Sequence, residues 1–339
     1  TRDGYDHDGD GFTEIPELKT QVLGLRGFMR IKNNSKLTLE YHGTHEYRRG
    51  GDKLDEPAHQ ANVAEQAEHD IHALDLQYNY WSADGKNRLS VYSAMQDTKR
   101  KSYYGSEMDP NAYGRTSDLT VASGGQYIHS FDRLLFMPSE MTGGLEYNYN
   151  RLHDVTIGYN HDSKQCVNIY SGYFQNEWRD DRWGFLIGAR ADKHSLIDHL
   201  IVSPRANIRY NPTNNLNLRL SFSTGFRSPQ AYDEDFHVAV VGGERVITVL
   251  APDLKEESSQ SISASADYNV TIGSVQTNFT LEGFYTNLDD VFVLRQLDEP
   301  DAEGNAVLER CNGDGARVYG MSLEAMAVLP FGMQIQAGA

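Results

Sequence analysis

The sequence lacks an apolar run long enough for a transmembrane helix, which needs about 18 or more consecutive apolar residues. Hydrophobic residues make up only 39% of the 339 residues. A helical membrane protein is therefore excluded. A membrane-spanning β-barrel is not, because its lipid-facing and lumen-facing residues alternate along each strand and cancel in any average.

Basic residues and cysteines are also scarce. The chain has 31 Lys and Arg against 48 Asp and Glu, a net charge of -17, which is the wrong sign for holding nucleic acid. Its two cysteines, Cys166 and Cys311, are too few for a disulfide framework and lack zinc-site spacing. A bridge between them and two free thiols both stay open. The chain begins at Thr1 without a signal-peptide pattern, so the architecture must indicate localisation.

Catalytic motifs are missing as well. No Gly-x-Ser-x-Gly, phosphate-binding loop or His-Glu-x-x-His motif occurs, and the histidines of the first part of the chain are scattered over strand ends and loops: His42, His45, His59, His69 and His72. We predict no enzyme.

What the sequence has in quantity is alternation of period two. In 71–81, Leu74, Leu76 and Tyr78 alternate with Asp75 and Gln77. We predict about fourteen such strands of roughly ten residues, the length of a tilted strand across a bilayer. They lie near 22–30, 36–46, 71–81, 88–98, 123–132, 139–150, 164–178, 182–193, 202–211, 216–227, 258–270, 275–287, 317–328 and 333–339.

The connections alternate between short and long. The short ones are rich in Gly, Pro, Asn and Asp, as in 82–87 and 211–215. The long ones span 47–70, 99–122, 151–163, 194–201, 228–257 and 288–316. Tight turns at one rim and large loops at the other are typical of an outer-membrane barrel. The sequence therefore predicts an all-β, antiparallel transmembrane β-barrel in the bacterial outer membrane, with a soluble all-β fold as the alternative.

Four phrases in the last third of the chain resemble the TonB-dependent outer-membrane receptors, and the segments 47–52 and 64–66 of the earlier half look similar to the Bacteroidetes-type branch of these siderophore and cobalamin receptors. The four phrases are Gly225-Phe226-Arg227-Ser228-Pro229, Ala251-Pro252-Asp253-Leu254-Lys255-Glu256-Glu257, Phe284-Tyr285-Thr286-Asn287-Leu288 and Val318-Tyr319-Gly320-Met321-Ser322-Leu323-Glu324. Two departures stand in the second phrase, where the family's usual Asn is Ala251 and its usual Pro is Glu256.

The resemblance implies a barrel of 22 strands with an N-terminal plug that contacts TonB from the periplasm. We expect residues 1–339 to be a partial barrel that lacks the plug and the last strand, because residues 333–339 stop inside an alternating run. The implied function is active transport of a scarce, large ligand such as a ferric siderophore, cobalamin or haem. The implied partners are membrane lipid, TonB, the ligand and a surface lipoprotein, whereas a passive porin or an adhesive barrel is the alternative.

The ligand would be captured by the outer loops. Their aromatic and histidine residues are the candidate contacts, namely Tyr103, Tyr104, Tyr113, Tyr232, Phe236 and His237.

Residues 6–17 match the twelve-residue calcium-loop pattern. Asp6, Asp8 and Asp10 stand at positions one, three and five, the Phe12 carbonyl at seven and Glu17 at twelve. Helices are not predicted on either side, so we expect an extracellular loop over 1–21 that holds calcium as a structural cofactor. A solvated acidic turn is the alternative. A soluble calcium-binding β protein is the third function hypothesis, and solubility without detergent would favour it.

Overall fold

The computed structural model describes residues 1–156, 158, 160–231, 239–241, 244–302 and 304–339. These residues form long strands, whose bounds are β1 Glu17–Lys32, β2 Ser35–Gly51, β3 Val63–Trp81, β4 Asn87–Ser106, β5 Tyr113–Leu134, β6 Met137–Thr156, β7 His161–Arg179, β8 Trp183–His194, β9 Ile201–Thr213, β10 Leu216–Arg227, β11 Ala239–Val241, β12 Glu244–Leu250, β13 Glu257–Ile272, β14 Val275–Asp289, β15 Phe292–Gln296, β16 Ala306–Asn312, β17 Ala316–Val328 and β18 Gln334–Gly338.

Fourteen of the strands in the described residues form one antiparallel sheet. Neighbours in the sheet follow each other in the chain, from β1 to β10 and then β13, β14, β17 and β18. Each of the fourteen predicted segments corresponds to one of these strands, so the predicted fold class is confirmed. β1 and β18 are the two edges of the sheet. No helix within the described residues is long and apolar enough to cross a bilayer.

The two faces of the sheet differ in polarity. Apolar residues on neighbouring strands lie directly opposite each other, as Leu76 on β3 and Leu39 on β2 do, and together they form one apolar face of the sheet. Its large side chains are exposed, for example Leu145 at 74%, Ile187 at 62% and Met321 at 77%. The buried polar side chains of the opposite, polar face include Asp154 and Asp192. An apolar outer face and a polar inner face are typical of a membrane-spanning β-barrel. They exclude a β-sandwich, whose apolar faces would be buried between two sheets.

Aromatic side chains gather at the short-turn end of the sheet. Trp183 stacks on Tyr210 with ring centroids 4.1 Å apart, and Phe136 stacks on Trp178 at 5.7 Å. Amphipathic rings of this kind suit the level of the lipid headgroups. The turns themselves are tight, and Gly85 and Gly273 have φ values of 72° and 64° that favour glycine.

The predicted loops 47–70, 99–122 and 151–163 are wrong in extent. Strands β2 to β7 continue far into them, and β5 alone has 22 residues. About 9–11 residues cross a bilayer, so these strands extend well beyond it. The prediction failed because charged residues break the apolar alternation in these segments, whereas a strand outside the membrane needs no apolar face.

The other long connections contain a second sheet. Within the described residues, β11, β12, β16 and β15 form a four-stranded sheet in which β12 and β16 run parallel. Ile247 of β12 belongs to a small buried cluster with Tyr103, Ala112 and three alanines of the 58–64 region. The long connections therefore fold together at the end of the strands opposite the tight turns.

Candidate ligand-binding and metal-binding regions

The polar face carries a hydrogen-bonded network across β4, β6, β7 and β8. The Tyr92 hydroxyl donates to a carboxylate oxygen of Glu146 at 2.5 Å, and Arg190 donates to Glu146 at 2.9 Å. Arg190 also donates to Asp192 at 2.8 Å, and Ser171 donates to the same carboxylate at 2.6 Å. Opposite charges placed this close hold each other in one orientation. The network gives the polar face a fixed pattern of charge that a bound molecule would meet.

Glycines make room for this network. A Cβ atom at Gly124 would lie 2.8 Å from the Tyr92 hydroxyl, and one at Gly144 would lie 2.5 Å from the ring of Tyr173. The two tyrosine rings therefore lie over glycines of the neighbouring strands. Tyr173 completes the arrangement by donating to Gln126 at 2.8 Å.

A second polar group lies nearer the outer end of the same face. Arg100 on β4 and Asp154 on β6 are both nearly fully buried, with nitrogen and oxygen 3.5 Å apart. Thr116 of the intervening β5 donates to Asp154 at 2.5 Å, and His161 lies 3.5 Å from its other oxygen. These contacts join four strands above the apolar belt and explain how the extended strands stay paired outside the membrane.

The predicted ligand contacts Tyr103, Tyr104 and Tyr113 lie on strands, not in a loop. Tyr103 is completely buried, and its hydroxyl donates to the Asp109 carbonyl at 2.9 Å. Tyr113 packs edge to face on Tyr103 with centroids 4.8 Å apart but is 44% exposed. The side chain of Tyr113 is therefore accessible, whereas that of Tyr103 supports it from below.

His59 lies beside Tyr113, and no pattern in the sequence pointed to it as a site residue. Its Nδ1 lies 2.9 Å from the Tyr113 hydroxyl, although the two residues are 54 positions apart. Only the fold brings them together, because residues 58–60 form a short 3-10 turn between β2 and β3. Tyr232, Phe236 and His237, the remaining predicted contacts, lie outside the described residues.

The acidic loop adopts a compact turn before β1. The Asp6 carboxylate accepts the backbone N–H groups of Gly9 at 2.7 Å and Gly11 at 2.8 Å, and these donors lower the pKa of Asp6. The hairpin is closed by backbone pairs between Tyr5 and Ile15, whose N–H groups donate across at 2.9 and 3.2 Å. Strand β1 begins at Glu17, so the loop is shorter than the predicted 1–21.

Carboxylate oxygens converge inside this loop. Those of Asp6, Asp8, Asp10 and Glu14 lie within 4.8 Å of one another. Glu14 stands at position nine of the calcium pattern and was not among the predicted ligands. Glu17, which was, contacts Lys19 at 2.5 Å. Phe12 donates its backbone N–H to Asp10 at 2.8 Å. The loop thus supplies a set of oxygen ligands of the kind that calcium prefers.

The two cysteines are both free thiols. Cys166 is exposed on β7, and Cys311 is half-buried on β16 of the second sheet.

Comparisons with known proteins agree with this architecture. Residues 10–338 match the family model described as TonB dependent receptor-like, beta-barrel. No curated protein matches the sequence. Among solved structures, the siderophore receptor PirA from Pseudomonas aeruginosa matches with a TM-score of 0.76 at 14% identity, over 95% of this chain and 56% of the receptor.

Two further solved structures are similar. A mutant of the ferric enterobactin receptor PfeA from Pseudomonas aeruginosa matches with a TM-score of 0.71 at 14% identity, over 99% of this chain and 53% of the receptor. The hemophore receptor HasR of Serratia marcescens matches with a TM-score of 0.68 at 14% identity, over 91% of this chain and 52% of the receptor. The chain thus spans about half the length of these receptors. A family model that covers nearly the whole chain, together with the exposed apolar face, shows that it belongs to the TonB-dependent receptor β-barrels, which are proteins of the Gram-negative outer membrane.

Proposed function

We propose that the whole protein takes up an iron chelate, a ferric siderophore or haem, and that TonB supplies the energy through a plug domain. The family match carries this proposal. The similar structures support the ligand class, since they are receptors for siderophores, for ferric enterobactin and for a heme-carrying hemophore. Cobalamin, the third ligand expected from the sequence, has no such support.

The polar face also favours uptake over a merely structural barrel. Its strands β8 to β10 carry a run of arginines, Arg190, Arg205, Arg209 and Arg219, whose registers place them on the same side of the sheet. Guanidinium groups recognise carboxylates and other planar oxygen anions, which many iron chelators carry. An arginine-bearing inner wall would therefore attract an anionic chelate from the outer rim.

The proposal is tested with the full-length receptor in cells whose other iron receptors are deleted. We expect growth on a ferric siderophore or haem as the sole iron source and no growth once TonB is also removed. A passive porin would support diffusion without TonB and would conduct ions in planar bilayers. TonB-independent uptake together with an open-pore conductance would therefore refute active transport.

We further propose that Tyr113 and His59 contact the ligand at the outer rim. Tyr113→Ala and His59→Ala should each weaken ligand binding by about 5- to 30-fold, the usual effect of removing an aromatic contact at a binding surface. Tyr127→Ala is a matched control, because Tyr127 is also 44% exposed but lies near the tight turns. Equal effects of Tyr113→Ala and Tyr127→Ala on binding would remove the site without affecting the transport proposal. A surface lipoprotein stays a predicted partner.

We also propose that calcium binds residues 6–17 and fixes this loop at the outer rim. The twelve-residue pattern and the convergence of four carboxylates support this. Thr13 already ties the loop to the end of β2, since its N–H donates to the Gly51 carbonyl at 3.1 Å. Bound calcium would offset the repulsion between the carboxylates and make this attachment rigid.

Calorimetric titration of the full-length receptor with calcium tests this proposal. Asp8→Asn and Glu14→Gln should weaken binding at least tenfold, because each removes a charged ligand. Glu17→Gln separates two arrangements. It weakens binding if Glu17 leaves Lys19 to serve as the ligand at position twelve, and it has no effect if Glu14 serves instead. Identical heats for the wild type, Asp8→Asn and Glu14→Gln would exclude the calcium site.

A further inference from the structure

Asn176 and Ser139 are polar side chains that are buried on the apolar outer face of the barrel. Asn176 on β7 is 5% exposed, and neither its amide nitrogen nor its amide oxygen has a hydrogen-bond partner among the described residues. Ser139 on β6 is also 5% exposed, and within the same residues its hydroxyl is equally unpaired. We call these two residues the polar pair. Unpaired polar groups cost free energy in an apolar environment, so a partner from outside this part of the chain would stabilise them.

The strand registers place the polar pair at the periplasmic edge of the lipid-facing surface. Asn176 lies opposite Met141 of β6 and Ile187 of β8, and Ile187 is exposed on the apolar face. Ser139 lies opposite Trp178, which is two positions from Asn176 on β7 and therefore on the same face. Trp178 belongs to the aromatic side chains at the short-turn end of the sheet. The polar pair thus occupies two successive rows where the apolar belt meets the headgroups of the periplasmic leaflet.

Other polar side chains on the same face bind each other. Asn168, nearer the outer end of β7, accepts a hydrogen bond from the Tyr147 hydroxyl at 2.8 Å. Ser93 of β4 and Ser123 of β5 lie opposite each other, with their hydroxyl oxygens 2.8 Å apart. The described residues offer the polar pair no such partner. Its amide and hydroxyl donors and its amide acceptor are therefore left for a molecule of the membrane.

The turn beside the polar pair is apolar. It consists of Leu135 and Phe136, whereas the turns after β1 and β9 each consist of two asparagines, at 33–34 and 214–215. Leu135 and Phe136 are 77% and 51% exposed, and Phe136 stacks on Trp178, the residue opposite Ser139. Exposed apolar side chains of this size are stabilised in lipid and not in water. The periplasmic leaflet therefore extends to the level of Ser139.

The stacked rings of Phe136 and Trp178 close the approach to the polar pair from the periplasmic side, and this cover is able to move. Leu135 has a φ of 63°, which is strained for a bulky residue. The pairing of β5 with β6 is also irregular between Phe131 and Leu134. Rotation of Phe136 away from Trp178 opens a path from the headgroup layer to Ser139.

We propose that the polar pair binds the headgroup of a phosphatidylethanolamine in the periplasmic leaflet. The Ser139 hydroxyl and the Asn176 amide N–H donate to phosphate oxygens, and the Asn176 amide oxygen accepts a hydrogen bond from the lipid ammonium. The acyl chains lie along the apolar face beside Ile187. Phosphatidylcholine carries the same phosphate but has no N–H donor, so it leaves the amide oxygen unpaired. The site therefore selects the ethanolamine lipid.

The test uses the full-length receptor in neutral detergent, titrated with phosphatidylethanolamine and separately with phosphatidylcholine of the same acyl chains. The wild type should bind phosphatidylethanolamine about fivefold more tightly, the usual effect of one further neutral hydrogen bond. S139A/N176L should bind the two lipids equally, because it removes every polar group of the pair. Free phosphoethanolamine at millimolar concentration should not displace the lipid, since the acyl chains contribute to its binding.

The matched control S123A/N168L makes the same two substitutions at lipid-facing residues whose partners lie within the protein. It should keep the preference of the wild type for phosphatidylethanolamine. Equal binding of the two lipids by the wild type, a preference retained in S139A/N176L, the same loss in the control, or displacement by phosphoethanolamine would each overturn the proposal. Heat-dependent migration on gels reports whether each barrel is folded. Should S139A/N176L fail to fold, N176L gives the same comparison, since it also removes the acceptor for the ammonium.

Discussion

The two halves of the large sheet differ in how they extend beyond the membrane. Strands β2 to β7 have 17 to 22 residues and are joined at the outer end by connections of at most eleven residues, 52–62 being the longest. Strands β8 to β10 have only 12 or 13 residues, and the long connections after β10 and β14 form a sheet of their own. The first half thus raises a rigid wall of continuous strands, whereas the second half covers the rim with separately folded connections.

The difference shows what stabilises a strand outside the bilayer. In the first half, buried polar groups such as Arg100 and Asp154 connect neighbouring strands. On β13 and β14 of the second half, the polar face is lined mostly by small hydroxyl and amide side chains, for example Ser261, whose hydroxyl lies 2.9 Å from that of Thr286. Charged networks that are fully paired hold the strands in one register. The wall should therefore be more sensitive to loss of single polar groups than the second half.

The largest loss of stability is expected when a side chain is introduced beneath the ring of a lumen-facing tyrosine. Gly144→Val would place side-chain atoms where the Tyr173 ring lies, and it should destabilise the barrel by about 3 kcal/mol, as overpacking does. Gly283→Val on β14 is the control in the other half, because the nearest atom to a Cβ there is 3.8 Å away. Denaturant unfolding in lipid vesicles measures both. Similar losses for the two variants would contradict the contrast between the halves.

A comparable loss is expected from breaking the buried ion pair of the wall. Asp154→Ala leaves the buried Arg100 without this carboxylate and should cost about 3 kcal/mol. Asp267→Ala in β13 should cost about 1 kcal/mol, since Asp267 is only half-buried and accepts one hydrogen bond from Thr280, at 2.9 Å. The same unfolding measurement applies. Should Asp267→Ala cost as much as Asp154→Ala, the stability of the wall would not depend on its ion pairs.

A smaller effect is expected at the tight turns. Lys86 and Asp132 form an ion pair with side chains that are 40% and 84% exposed. Lys86→Gln should leave the free energy of unfolding nearly unchanged, because solvent screens the pair. The small difference in stability between this variant and the wild type should also change little with salt concentration. A loss as large as that of Asp154→Ala would show that burial does not govern these pairs.

The smallest effect concerns the acidic loop without calcium. The N–H donors of Gly9 and Gly11 lower the pKa of Asp6 from 3.8, so its contribution to loop order is fully present above pH 3.8 and is lost as the pH falls through the lowered value. The protection of the Gly9 and Gly11 amides against hydrogen exchange, relative to the intrinsic rate at each pH, should therefore fall only in acid. Asp6→Asn should accelerate exchange at neutral pH, whereas Asp8→Asn should not, since among the described residues the backbone donor to Asp8 is the Asp10 N–H at 3.3 Å. Unchanged exchange in Asp6→Asn would exclude this role.

The sequence by itself determined the number and order of the strands across the membrane. The alternation of Leu74, Leu76 and Tyr78 with Asp75 and Gln77 indicates which face of the strand meets lipid. Turn residues such as Gly85 and Gly273 mark where one strand ends and the next begins. The calcium pattern at Asp6, Asp8 and Asp10 is equally local, because its ligands come from one short segment.

Only the tertiary structure decided how far the strands continue and which distant side chains meet. A strand outside the bilayer needs no apolar face, so its sequence shows no apolar alternation. The sequence therefore predicted a loop over 99–122, where β4 and β5 continue. Contacts such as those of His59 with Tyr113 and of Arg100 with Asp154 depend on strand register. Register is fixed by the pairing of whole strands, and a local pattern of residues does not contain it.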